Sequence, residues 1–256
     1  MTNFKAVLVK ELYLFFASPI FYVAAVIFIL LEGYFFYSAV NYFHLMSFQA
    51  ARNPNLVMEA NLTYMVLTPL LRQIGLLMLF ITPLLTMRLY ADERRSGTIE
   101  LLFTLPFRDS TALLAKCMAT YLVFLLMLCL SVPSILILDY LGEVEWGVAL
   151  CGYLGLMLMG AAFICIGCLA SAVTENQVVA AVIGFGVLLL SWVINWSIPY
   201  TSPIVGEIFR YLSLFVHFNT FVRGVVDTGS IVFYVMVTVF FFVATLKVLE
   251  FRRLKG

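Results

Sequence analysis

Six stretches of this 256-residue chain are apolar over the length a helix needs to cross a bilayer, and that decides most of what the chain can become. They run Ile20–Val40, Pro69–Thr86, Leu113–Leu138, Gly147–Val173, Gln177–Ile198 and Ile231–Leu249. A hydrocarbon core takes about 20 residues of helix. None of the stretches alternates with the period of two that marks a barrel strand. With 64% hydrophobic and 11% charged residues, and a mean hydropathy of +1.06, the chain carries more apolar surface than a water-soluble core of this length encloses. The expected fold class is all-α integral membrane, with six transmembrane helices in a single domain spanning residues 1–256. Pro69, Pro83 and Pro133 lie in or near spans and predict kinks, because each removes an N–H and frees a carbonyl that a neighbour must satisfy.

Orientation follows from the basic residues. With the N-terminus in the cytosol, the inner segments hold eleven Lys and Arg and the outer side four, namely Arg52, Arg72, Arg210 and Arg223. That asymmetry favours both termini inside. The net charge of +1 says little about partners, since its distribution matters more than its sum.

Two segments are expected to lie along the membrane instead of crossing it. Residues 1–19 do not look like a cleaved signal peptide: Phe4, Val7, Leu8, Leu12 and Phe15 share one helical face, Lys10 sits on another, and Ser18-Pro19 breaks the pattern. An interfacial helix is expected there, with a simple extension of the first span as the alternative. Residues 199–230 mix Ile204, Ile208, Phe209 and Leu212 with Glu207, Arg210 and Arg223, which suits an amphipathic or re-entrant outer segment capping a pathway.

The densest charge lies between the second and third spans. Met87 to Ser110 carries Arg88, Asp92, Glu93, Arg94, Arg95, Glu100, Arg108 and Asp109, and its apolar run of Ile99, Leu101, Leu102 and Phe103 is too short to cross a bilayer. Alternating charge of this kind sets register and partner choice, and a short apolar face can fill a partner's groove. Gly97 relieves the backbone at the turn into the short helix expected over that run. The competing interpretation is a solvated positive-inside loop.

Little points to chemistry within the chain. Cys165-x-x-Cys168 has redox or metal spacing but stands mid-helix among small apolar residues, so Cys117, Cys129, Cys151, Cys165 and Cys168 are expected to pack. Gly160, Gly167 and Ser171 form a small-residue stripe suited to close helix contact. His44 and His217 are the only histidines and lack companions for a metal site. There is no nucleotide-binding G-x-x-x-x-G-K-[ST], no G-x-S-x-G and no H-E-x-x-H, and no enzymatic activity, bound cofactor or metal is expected. Glu32 is the exception within the spans, because an ionisable group in hydrocarbon costs about 2.5–3.5 kcal/mol on insertion scales. Its expected partner is Arg72; the alternative is a protonated or hydroxyl-capped Glu32, with Arg72 reaching outer headgroups. Asn195 is the further polar candidate, beside Trp196 on the fifth span.

The segment MRLYADERRSGTIELLFTLPFRDSTALLAK resembles the loop between the second and third spans of type-2 ABC exporter permeases. In that family an acidic-basic cluster is followed by G-T-x-E-L-L and a Leu-Pro. The resemblance extends to KELYLFFASPIFYV, LASAVTENQVVAAVIGF and YLSLFVHFNTFVRGVVDTGS, in the same order along the chain. It is nearest to the permeases of gliding-motility and nitrous-oxide-reductase-maturation systems. What it implies is a permease of the bacterial inner membrane, paired with itself or a similar subunit and bound to two cytosolic ATPase subunits that hold the ATP and magnesium.

Within residues 87–112, the resemblance assigns a coupling helix to Glu93, Arg94, Arg95, Gly97, Thr98, Glu100 and Leu101. It assigns a second ATPase contact to Thr174, Glu175, Asn176 and Gln177. The expected dimer seam uses the first and fifth spans, with Phe28, Phe35, Phe36, Asn195 and Trp196 near any pathway. The expected partners are membrane lipid and protein, with no nucleic acid. Export is the implied activity. The alternative is a mechanotransmitter or scaffold that relays ATPase motion to a periplasmic accessory protein; a proton-coupled transporter using Glu32 is disfavoured by the absence of an internal repeat.

Overall fold

A helix satisfies its backbone polar groups within its own segment, so a chain of apolar runs in lipid has little else available to it. The computed structural model describes residues 2–52, 61–97 and 109–253, and no strand occurs among them. The order is α1 (Thr2–Ala17), α2 (Pro19–Arg52), a π-helical turn (Thr63–Leu67), α3 (Thr68–Thr86), α4 (Arg88–Arg95), α5 (Asp109–Cys129) and α6 (Val132–Leu141). Then follow α7 (Trp146–Val173), α8 (Gln177–Ser197), α9 (Pro203–Leu212), α10 (Leu214–Val222) and α11 (Thr228–Arg253). Six helical stretches are long and apolar enough to cross a membrane: Pro19–Gln49, Thr63–Arg95, Asp109–Leu141, Trp146–Val173, Gln177–Tyr200 and Thr228–Arg252. Each contains one of the expected spans.

The prolines act through the backbone in different ways. Pro133 interrupts the third span, which stops at Cys129 and restarts at Val132; the break is closed by three-residue turns, Leu130 N–H to Met127 O at 3.1 Å and Ser131 N–H to Leu128 O at 3.1 Å. Pro83 sits inside α3 without ending it. The Thr82 and Thr86 hydroxyls on either side bond back to Met78 O and Thr82 O at 2.7 and 3.0 Å. Pro69 stands at the start of α3, behind the wider π turn whose Thr68 N–H reaches back to Thr63 O.

The spans divide sharply by burial. The most apolar windows of the second and fourth are 67% and 72% buried, those of the first, fifth and sixth only 22%, 17% and 11%. Thus α3 and α7 form the centre, and α2, α8 and α11 present apolar faces outward. Close approach to α7 depends on its glycines: a Cβ at Gly160 would strike the Phe124 ring, and one at Gly167 the Thr86 side chain. Within residues 199–230, α9 leaves Ile204, Ile208, Tyr211 and Leu212 exposed, whereas α10 buries Leu214, Phe215, Phe218, Phe221 and Val222 against α3 and α7. Phe28, expected near any pathway, is fully buried in the core of the single chain.

Candidate coupling site

The site begins at the kink between α3 and α4. Tyr90 and Ala91 would, in an unbroken helix, donate to Thr86 O and Met87 O; both donate instead to Ser171 Oγ, at 3.0 and 3.1 Å. That hydroxyl in turn donates to Met87 O at 2.9 Å. A side chain inserted into the ladder is a known cause of a kink. One fully buried hydroxyl from the end of α7 therefore ends α3, starts α4 and fastens the junction to the fourth span. As a stripe residue Ser171 was expected only to pack closely, and it also bonds.

The next layer is ionic. Lys116 enters from α5 and is 1% exposed; its ammonium lies 2.9 Å from Glu11 Oε1, 2.9 Å from Glu93 Oε1 and 2.6 Å from Leu89 O. Those are all three donors of an ammonium. The Tyr90 ring centroid lies 4.9 Å from the same nitrogen. Lys10 reaches Glu93 Oε1 at 3.0 Å, so two cations face two carboxylates and the cluster is neutral. Arg88 adds a further tie to α1: it donates to Leu14 O at 3.0 Å, a carbonyl in the last turn that has no intrahelical partner, and stacks over Phe15.

On the other flank, α4 meets the loop between the fourth and fifth spans. Arg94 pairs with Glu175 at 2.7 Å and also donates to Ala172 O, while Gln177 Nε2 donates to Asp92 Oδ1 at 2.6 Å. Asn176 accepts from Val178 N–H at 2.9 Å and so caps α8. Gly97, at φ +69°, takes the left-handed position after α4, its N–H bonded to Arg94 O. Arg252, near the end of α11, donates to Val173 O at the same end of the bundle.

Glu93, Arg94, Gly97, Glu175, Asn176 and Gln177 thus gather at one end, but in different attitudes. Glu93 and Arg94 face their own chain. Arg95, Gly97, Glu175 and Asn176 are exposed. Thr98, Glu100 and Leu101 lie outside the described residues. Glu11 and Lys116 escaped sequence reasoning; the available signal was a lone lysine inside the apolar LLAKCMATYL and a lone acid in α1.

The intramembrane candidates do not assemble as expected. No salt bridge joins Glu32 to Arg72. Glu32 is buried with the Ser134 hydroxyl beside it, and its Oε1 has no hydrogen-bond partner. Arg72 is exposed and lines a recess with Asn195. Cys117 Sγ and Cys168 Sγ are 3.4 Å apart as free thiols, and among the described residues no His, Cys, Asp and Glu group has the arrangement of a metal site.

Residues 59–248, well over half of the chain, match the family described as ABC-2 family transporter protein. The chain belongs to that family; with its six apolar helices it is a multi-pass membrane protein and the permease component of an ABC transporter. Membership implies an ABC ATPase partner and, often, pairing of permeases. A comparison with curated proteins gives no match.

Proposed function

We propose that this chain is the transmembrane subunit of an ATP-driven exporter, working as a pair in the bacterial inner membrane with both termini in the cytosol. Two separate ATPase subunits carry ATP and magnesium, and the chain itself is non-catalytic and binds no cofactor. The nearest subgroup is the gliding-motility and nitrous-oxide-reductase-maturation type.

The observation that carries this proposal is the interlocked end of the bundle in a chain of this family. There the exposed Arg95, Gly97, Glu175 and Asn176 stand on a base tied to four spans and to α1. Force applied by an ATPase at that surface, and at Thr98, Glu100 and Leu101 beyond it, has a stiff path into the spans through Ser171, Lys116 and Arg94. Glu93 and Arg94 act on the chain's own side of this contact. Residues 1–19 serve as an interfacial helix, 87–112 as the coupling segment and 199–230 as the outer cap. The outward apolar faces of α2 and α8 supply the seam between permeases, with Asn195 and Trp196 near the pathway. ATP binding draws the ATPase subunits together and opens that seam away from the cytosol.

The test is mild-detergent purification from native membranes, with mass spectrometry and an ATPase assay on the eluate. The expected result is a stoichiometric subunit carrying a nucleotide-binding motif, lost in Arg95→Glu combined with Glu100→Arg while the permease itself stays folded. Purification of the chain with no ATPase overturns the proposal, and a periplasmic protein in place of cargo release turns it toward force transmission.

A further inference from the structure

At the opposite end from α4, the second span, the fifth span and α10 enclose a recess of about 280 Å³. Its lining joins cation, amide and aromatic: Arg72 and Gln73 from α3, Trp192 and Asn195 from α8, Phe218 and Asn219 from α10. Arg72 stands three residues into the expected span Pro69–Thr86 and is exposed, so its charge sits at the outer end of that span. Nothing described neutralises it. The group that acts on it electrostatically is Arg223, a second cation. Asp227, the acid nearest to Arg223 in sequence, is taken up by Ser230 Oγ at 2.8 Å and by the N–H groups of Gly229 and Ser230. An arginine lining a recess beside two asparagines, with no carboxylate among the lining residues, forms a site for an anion.

The surroundings narrow the kind of anion. The floor is aromatic and aliphatic, and the recess is slightly smaller than the pockets, of about 300–1,000 Å³, that enclose whole drug-sized ligands. It therefore fits a head and leaves a tail outside. One turn to two turns further toward the α4 end, the same two helices meet through Phe80 and Phe185, ring centroids 5.1 Å apart, and Phe80 is open to the outside. An acyl chain leaving the recess meets an apolar track there.

We propose that this recess binds the phosphate or carboxylate head of an amphiphile, with Arg72 as counter-ion, Asn195 and Asn219 as donors and the tail along the Phe80–Phe185 crevice. This rests on the exporter reading only for the statement that the amphiphile is cargo; the binding itself does not.

The chain has three tryptophans, so a Trp146→Phe, Trp196→Phe background leaves Trp192 as the sole reporter. The full chain in phosphatidylcholine nanodiscs, without its ATPase, is titrated with lysophosphatidylglycerol, lysophosphatidylcholine and sodium phosphate while Trp192 emission is followed. Lysophosphatidylglycerol is expected to act at a concentration at least about tenfold lower than lysophosphatidylcholine. Arg72→Gln should erase that preference, and the charge-conserving Arg72→Lys should keep most of it, which guards against a folding artefact. Equal midpoints for the two lysolipids, or a preference unchanged in Arg72→Gln, overturn the site. Phosphate acting as strongly as lysophosphatidylglycerol overturns the amphiphile. Nanodiscs containing phosphatidylglycerol distinguish the source: a Trp192 shift before any addition identifies bilayer lipid, and its absence identifies a free amphiphile. Failure to recover an ATPase would sink the exporter reading and leave these binding results standing.

Discussion

Around α4, every buried charge has been met: Lys116 spends three donors on Glu11, Glu93 and Leu89 O, and Arg94 closes on Glu175. Around the recess, Arg72 and Arg223 have each other, and the neighbouring carboxylate of Asp227 is committed to capping α11. The same residue types do opposite work at the two ends. A charge-balanced cluster fixes one geometry, because every alternative strands a charge at a cost of several kcal/mol. A cation with no carboxylate partner among the described residues is open to a counter-ion from outside.

The largest effect that separates the two ends is expected from Lys116→Met. It leaves the Glu11 and Glu93 carboxylates with only the exposed Lys10 between them, with a loss of about 3–5 kcal/mol, read as a lowered midpoint of thermal unfolding in detergent. Combining it with Glu11→Gln and Glu93→Gln should restore most of that midpoint; no restoration would mean that packing and not charge holds the cluster.

Smaller, and specific to the kink, is Ser171→Ala. It orphans the N–H groups of Tyr90 and Ala91 and should cost about 1–3 kcal/mol. The matched change at the other end, Ser191→Ala, removes only a 3.3 Å bond from Leu214 N–H and is expected to shift the unfolding midpoint less. Similar shifts for both serines would erase the asymmetry.

Arg72→Gln sharpens the contrast by doing little. Removing an unpaired cation relieves repulsion from Arg223, so stability should change by no more than about 0.5 kcal/mol, or rise. A loss comparable with that of Lys116→Met would reveal a counter-charge within the chain.

The smallest effect belongs to Asp227, whose carboxyl is held below its usual 3.8 chiefly by the Ser230 hydroxyl and then by the N–H groups of Ser230 and Gly229. A depressed acid contributes stability that is complete above its unfolded value and is lost as pH falls through the folded one. Asn caps nearly as well as Asp, so Asp227→Asn should match the parent at neutral pH and lack its extra decline below about pH 4. Unfolding midpoints taken across that range would show it.

How much of this was legible depends on whether a feature is local. The six spans follow from runs of apolar residues, and all six occur. The break at Leu130–Ser131 was only half legible: Pro133 warns of a kink, but whether a span bends or divides depends on which groups bond the freed carbonyls. A turn at Gly97 was legible because glycine's backbone freedom is local, although it was expected to lead into a helix and it stands just after α4. Lys116 and Glu11 are 105 residues apart, and no periodicity connects them. Glu32 and Arg72 had the right charges at plausible depths, yet pairing also requires that two helices turn the proper faces to each other. Ser171 looked like one small residue among several because hydroxyl geometry toward another helix has no one-dimensional trace.

The Ser171 fastening also has a kinematic consequence. Its three bonds share a single oxygen, so α7 cannot slide along the α3–α4 junction without breaking all of them together, whereas rotation about that oxygen strains them little. The joint behaves as a pivot: displacement of α4 is carried into the second span as a change of angle about a fixed point.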